Sequence, residues 1–165
     1  MLALIIITFG ILSRIIVHTP NFSPVLSLAF LSGMYLKGRQ PVLVPLALMV
    51  LSDLITGFYG AEMFFVWGSI VLTSLIGLSL KEKKNFGTVF TGSILSAAVF
   101  FLITNFGSWL TLYPHSMAGL GQCYFLAIPF FRSTLVSTIA YSLVFYAAYE
   151  WILKRSQGTA LVRFV

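Results

Sequence analysis

Arg14, Arg132 and Asp53 stand inside apolar runs, and Glu62 and His18 stand at the edges of such runs. An ionised side chain in that setting costs at least ~2.5–3.5 kcal/mol on an insertion scale unless it is paired or faces water. The two arginines are therefore the first residues to ask for chemistry. A guanidinium holds a carboxylate or phosphate through paired, charge-assisted hydrogen bonds, so either arginine could reach an anionic ligand. The plainer reading is structural: Arg14 and Arg132 with Asp53 could form a buried ion pair that fixes helix register. Arg14 and His18 are spaced i, i+4 and share a face if the first helix extends that far. His18 and His115, with Asp53 or Glu62, supply the donor types of a metal site or an acid–base pair, although histidines at loop edges are commonly just hydrogen-bonded. No Gly-x-Ser-x-Gly or His-Glu-x-x-His motif accompanies them, and catalysis is not expected.

The elements that must position these groups follow from composition. Of 165 residues 59% are hydrophobic and 8% charged, against about 25% charged in a soluble domain, so a water-soluble globule is excluded. Mean hydropathy is +1.00. At ~20 apolar residues per crossing the length suits a single domain, residues 1–165, of five to seven helices. The net charge of +6 is spread between apolar runs and gives no basic face for nucleic acid. One cysteine, Cys123, excludes an internal disulfide and a cysteine zinc site.

With charges, prolines and glycine clusters as punctuation, the predicted spans are 2–17, 23–36, 41–57, 63–80, 87–110 and 122–153. The expectation is an all-α integral membrane protein of six transmembrane helices. No Lys or Arg precedes the first apolar stretch, which is read as a mature helix rather than a secretory signal. Pro129 is expected to kink the last span or to split off a short interfacial segment. Lys37 and Arg39, then Lys81, Lys83 and Lys84, then Lys154, Arg155 and Arg163 fill the even connections and the C-terminal end, whereas the odd connections hold no Lys or Arg. Cations are retained on the cytoplasmic side, so both termini are expected inside. Arg14, Asp53, Glu62 and Arg132 then fall in the outer half, with His18, Asn21, Tyr59, Asn105, Trp109, Tyr113, His115, Gln122 and Tyr124 gathered at the same end. A site open to the outside is expected there. For any single aromatic the interfacial belt is the competing explanation. Small residues four apart, such as Ala29 and Gly33 or Ser93 and Ala97, serve close helix packing or, alternatively, a partner face.

The blocks Arg14-Ile15-Ile16-Val17-His18-Thr19-Pro20-Asn21-Phe22-Ser23-Pro24, Leu51-Ser52-Asp53-Leu54, Phe100-Phe101-Leu102-Ile103-Thr104-Asn105-Phe106 and Ala127-Ile128-Pro129-Phe130-Phe131-Arg132 resemble a family of small bacterial membrane proteins without an assigned function. That family is distantly similar to the substrate-binding S components of energy-coupling factor (ECF) vitamin transporters. The resemblance implies a six-helix bundle with cytoplasmic termini in the bacterial inner membrane and a ligand held near the outer face. It also implies partners, a membrane scaffold and ATPase subunits. One departure stands out: the Ala-x-x-x-Ala docking patch common on the first helix of S components is absent, Ala3 being followed by Ile7 and Gly10 by Arg14. No Walker A loop or other phosphate cradle is present, so energy must come from another subunit; no cofactor is expected. The expected activity is capture of a small vitamin-like or carboxylate-bearing metabolite, with Arg14, His18, Asn21, Asp53, Asn105, Trp109, Tyr113, His115, Tyr124 and Arg132 as the substrate-binding set. The alternative is an accessory subunit of a larger membrane assembly, with the polar cluster as a protein interface.

Overall fold

The structure is a computed structural model that describes residues 2–16 and 21–156. Six helices account for nearly all of them: α1 Leu2–Ile16, α2 Val25–Tyr35, α3 Gln40–Thr56, α4 Glu62–Ser79, α5 Phe86–Leu112 and α6 Met117–Ser156. α4, α5 and α6 are long and apolar enough to cross a membrane, and α1, α2 and α3 are shorter. Large apolar side chains such as Leu4, Phe64, Phe125 and Val144 are exposed, a surface that suits lipid and not water.

The helices begin and end where local chemistry dictates. Asn85 caps α5 by accepting a 2.8 Å hydrogen bond from the Thr88 N–H. Pro41 opens α3 at its first turn, where its missing N–H costs nothing. Gly57 ends α3 with a φ of 96°, a backbone region closed to most side chains. α6 runs unbroken through Pro129, so the proline does not separate an interfacial segment.

α2 is the main departure from the sequence reading. It has 11 residues, about 16 Å at 1.5 Å per residue, roughly half of a ~30 Å hydrocarbon core. It packs against all five other helices, and every residue from Val25 to Met34 is buried. A short helix that is apolar on all sides is a core helix. It reaches α4 through glycines, since a methyl group at Gly33 would collide with the Ser74 carbonyl and one at Gly77 with the Phe30 carbonyl. Ala29, Gly33, Ser93 and Ala97 are buried inside the bundle, where small residues let backbones approach.

The cationic connections after α2 and α4 gather at one end. The Lys84 ammonium lies 4.5 Å from the centre of the Tyr35 ring, the Tyr35 hydroxyl donates to Glu150 at 2.7 Å, and the Tyr146 hydroxyl donates to the Lys84 carbonyl. These contacts join the end of α2, the α4–α5 turn and the last third of α6. From there α2 climbs only part-way: Ser27 Oγ donates to the Thr138 carbonyl, and Ser137 Oγ donates to the Asn21 carbonyl. Thr138 lies roughly 30 Å along α6 from its first residue at 1.5 Å per residue. Asn21 and the start of α2 thus lie beside the middle of α6, and α5 and α6 continue past them.

Candidate functional site

Space remains beside Asn21 and the start of α2. A cavity of about 240 Å³ is bounded by Arg14, Asn21, Met49, Tyr59, Thr134 and Ser137 among others. A second, of about 220 Å³, runs along α5 and α6 past Thr104, Asn105 and Ser108. The two share Asn21, Val66, Phe100 and Thr134 as walls, so they adjoin, and they extend away from the cationic end.

Arg14 reaches the first cavity from α1, and α3 holds it. Its Nη2 lies 2.7 Å from Asp53 Oδ1, the arginine side chain 20% exposed and the carboxylate 0%. Nη1 donates to the Ser52 hydroxyl and to Met49 Sδ. Asp53 Oδ2 accepts a 2.7 Å hydrogen bond from Trp67 Nε1 on α4. Oδ1 touches the guanidinium but makes no aligned hydrogen bond. Three helices therefore meet at one carboxylate. Burying that charge is tolerable because an opposite charge and an indole donor face it. A guanidinium carries five N–H donors, and Arg14 is also a wall of the cavity.

Tyr59, in the connection between α3 and α4, lies over this pair. Its phenol is pushed up to about 12, first by desolvation and then by the Asp53 charge, with Arg14 opposing. Asn21 adopts a φ of 56°, the left-handed conformation that Asn tolerates better than most residues.

The predicted site residues divide. Arg14 and Asn21 line the first cavity and Asn105 the second, while Asp53 stands behind Arg14. His18 lies outside the described residues. Trp109, Tyr113 and His115 form a separate corner: Trp109 Nε1 donates to the Pro114 carbonyl, the Tyr113 N–H to the Trp109 carbonyl, and His115 Nε2 lies 2.9 Å from the Leu110 carbonyl. They fasten the α5–α6 turn and line neither cavity. Tyr124 is on the α5–α6 seam, its hydroxyl donating to the Leu102 carbonyl and its ring against Phe101. Arg132 is exposed on α6, lines neither cavity and does not pair with Asp53. The ion pair is Arg14–Asp53 alone, because α6 turns Arg132 to the opposite side from its buried Thr134 and Thr138.

Trp67, Ser52 and Tyr59 join the site, and none of them belongs to the predicted set. Trp67 carried a signal: it stands five residues inside α4, too deep for an interfacial belt, so its indole N–H needs an internal acceptor. Among the described residues no group of three His, Cys, Asp or Glu side chains converges.

Residues 1–161 match the model of a family of unknown function, DUF6580, and the chain belongs to that family. No curated protein and no solved structure matches the chain.

Proposed function

We propose that this protein is a substrate-capture subunit of a membrane importer, binding a small vitamin-like or carboxylate-bearing metabolite in the cavity beside Arg14. One observation carries the reading: Arg14, held by Asp53 and Ser52, also lines a cavity that extends away from the cationic end. Structural ion pairs do not need such a cavity. The ligand's polar end meets Arg14 and Asn21, and its apolar part lies against Met49, Val66 and Phe100. Asn105 belongs to the adjoining space along α5 and α6.

In this proposal all six helices are inserted in a bacterial cytoplasmic membrane. The cationic end and both termini face the cytoplasm under the positive-inside rule, and the cavity faces outward. Transport then depends on a scaffold and ATPase subunits of the ECF kind, since no phosphate-binding loop occurs in the chain. The role is binding and not catalysis.

The test is native mass spectrometry of the purified protein for retained small molecules. The expected result is a discrete metabolite in the wild type. Its loss is expected in Ser137→Trp, which fills the cavity, and in the paired change Arg14→Leu with Asp53→Leu, which removes both charges together. A metabolite retained equally by both variants would place binding elsewhere.

A further inference from the structure

The walls of the two adjoining cavities carry a hydrogen-bonding pattern of their own. A hydroxyl has one proton to give and lone pairs with which to accept. On α5 and α6 the protons are spent. Thr104 Oγ1 donates to the Phe100 carbonyl at 2.8 Å, Thr134 Oγ1 to the Phe130 carbonyl at 3.0 Å and Thr138 Oγ1 to the Thr134 carbonyl at 2.6 Å. Ser137 Oγ donates to the Thr134 and Asn21 carbonyls. All four side chains line the cavities, and Thr134 lines both. What they keep for a ligand is the capacity to accept.

Charge on the walls points the same way. Among the described residues Arg14 is the only formally charged residue lining either cavity, and Asp53 already neutralises it at 2.7 Å. Glu62 adds a further negative charge on the side of Tyr59. A ligand carboxylate or phosphate has no proton to give to the α5 and α6 hydroxyls. It would also share the one guanidinium with a fully buried Asp53, in an interior where like charges repel far more strongly than in water. A neutral group that both donates and accepts meets neither obstacle.

We infer that the captured ligand is uncharged and binds through an amide-type group, an N–H beside a C=O. The N–H meets the hydroxyls of Thr134 and Ser137, and the C=O faces Arg14. A flat apolar part continues into the second space, against Phe100, Phe101 and Phe131. This inference rests on the proposed capture role and, within it, selects an uncharged metabolite over a carboxylate-bearing one.

Probe pairs of equal shape test it on the purified full chain at neutral pH: benzamide with benzoate, phenylacetamide with phenylacetate, and cinnamamide with cinnamate, each Kd read by isothermal titration. The expected result is that at least one amide binds, about tenfold or more tighter than its carboxylate, and that Ser137→Trp abolishes this binding. Thr134→Val removes an acceptor and keeps the shape, so it should weaken the amide about threefold or more and leave the carboxylate unchanged. Asp53→Asn leaves Arg14 without its counter-charge and should shift the preference toward the carboxylate about tenfold. A carboxylate bound as tightly as its amide, amide binding indifferent to Thr134→Val, or a preference unmoved by Asp53→Asn would overturn the inference; if Ser137→Trp still abolishes binding, the capture site stands. Binding indifferent to Ser137→Trp, or no binding by any probe, also overturns it, and the native mass spectrum then decides separately whether a metabolite is captured.

Discussion

Arg14 on α1 and Arg132 on α6 occupy comparable depths, since Phe100 and Thr134 wall the cavity that Arg14 enters and Phe101 packs on Phe131 beside Arg132. Around Arg14 the fold supplies Asp53, Ser52, Met49 and, through Asp53, Trp67. Among the described residues it supplies the Arg132 side chain with no hydrogen bond, ion pair or ring contact. The difference is rotational: Arg14 faces α3, whereas Arg132 lies across α6 from the buried Thr134 and Thr138. In an apolar bundle, helix phase decides whether a charge becomes an internal support or stands on the outer surface.

The sharpest way to break this contrast is Asp53→Ala. It strands a guanidinium that is only 20% exposed, and unfolding in detergent should show a loss of about 3–5 kcal/mol. Next in size is Trp67→Phe, which removes the indole donor to Asp53 Oδ2 while keeping a ring in place. Losing a hydrogen bond to a charged acceptor should cost about 1.5–3 kcal/mol in the same assay.

Tyr59 gives a smaller, pH-dependent readout. Its phenol rises from 10.0 to about 12 on folding. The unfolded chain therefore gives up this proton first, and the stability owed to the neutral phenol is intact below about pH 10 and lost as pH climbs toward about 12. Tyr59→Phe should flatten that part of the profile. Asp53→Asn should lower the Tyr59 titration seen by ultraviolet absorbance, because the Asp53 charge is the second cause of the shift. The smallest effect belongs to Arg132→Leu. On the isolated protein it should change stability by no more than about 0.5 kcal/mol or raise it, as for a surface position without partners.

Much of the helical order is legible from the chain. Charges and prolines mark six helices, and the cationic connections do gather at one end, joined by Tyr35, Lys84, Tyr146 and Glu150. α2 is where the reading gives way: an apolar run of this length looks the same whether it crosses lipid or fills a core, and only its packing against five neighbours decides. Pro129 announces a break that α6 does not make, since a proline removes one N–H and neighbouring helices can hold the rest. At the site, Arg14 and Asp53 are visible as costly groups, but their pairing depends on how α1 meets α3. The off-pairing of Arg132 had a trace in the sequence, because Thr134, Ser137 and Thr138 mark a hydroxyl-rich face that excludes it. Trp109, Tyr113 and His115 cluster in sequence and also in space, but around their own turn.

The account rests on Asp53 recognising one arginine and not the other, and a double-mutant cycle at position 53 measures this directly. Arg14→Leu, Arg132→Leu and Asp53→Leu, singly and in the two pairs with Asp53, are compared by unfolding free energy in detergent. The Arg14–Asp53 pair should show a coupling of about 1–3 kcal/mol, and the Arg132–Asp53 pair should be additive within about 0.5 kcal/mol. Equal couplings, or a larger one for Arg132, would contradict the assignment of the internal ion pair and with it the cavity-facing role of Arg14.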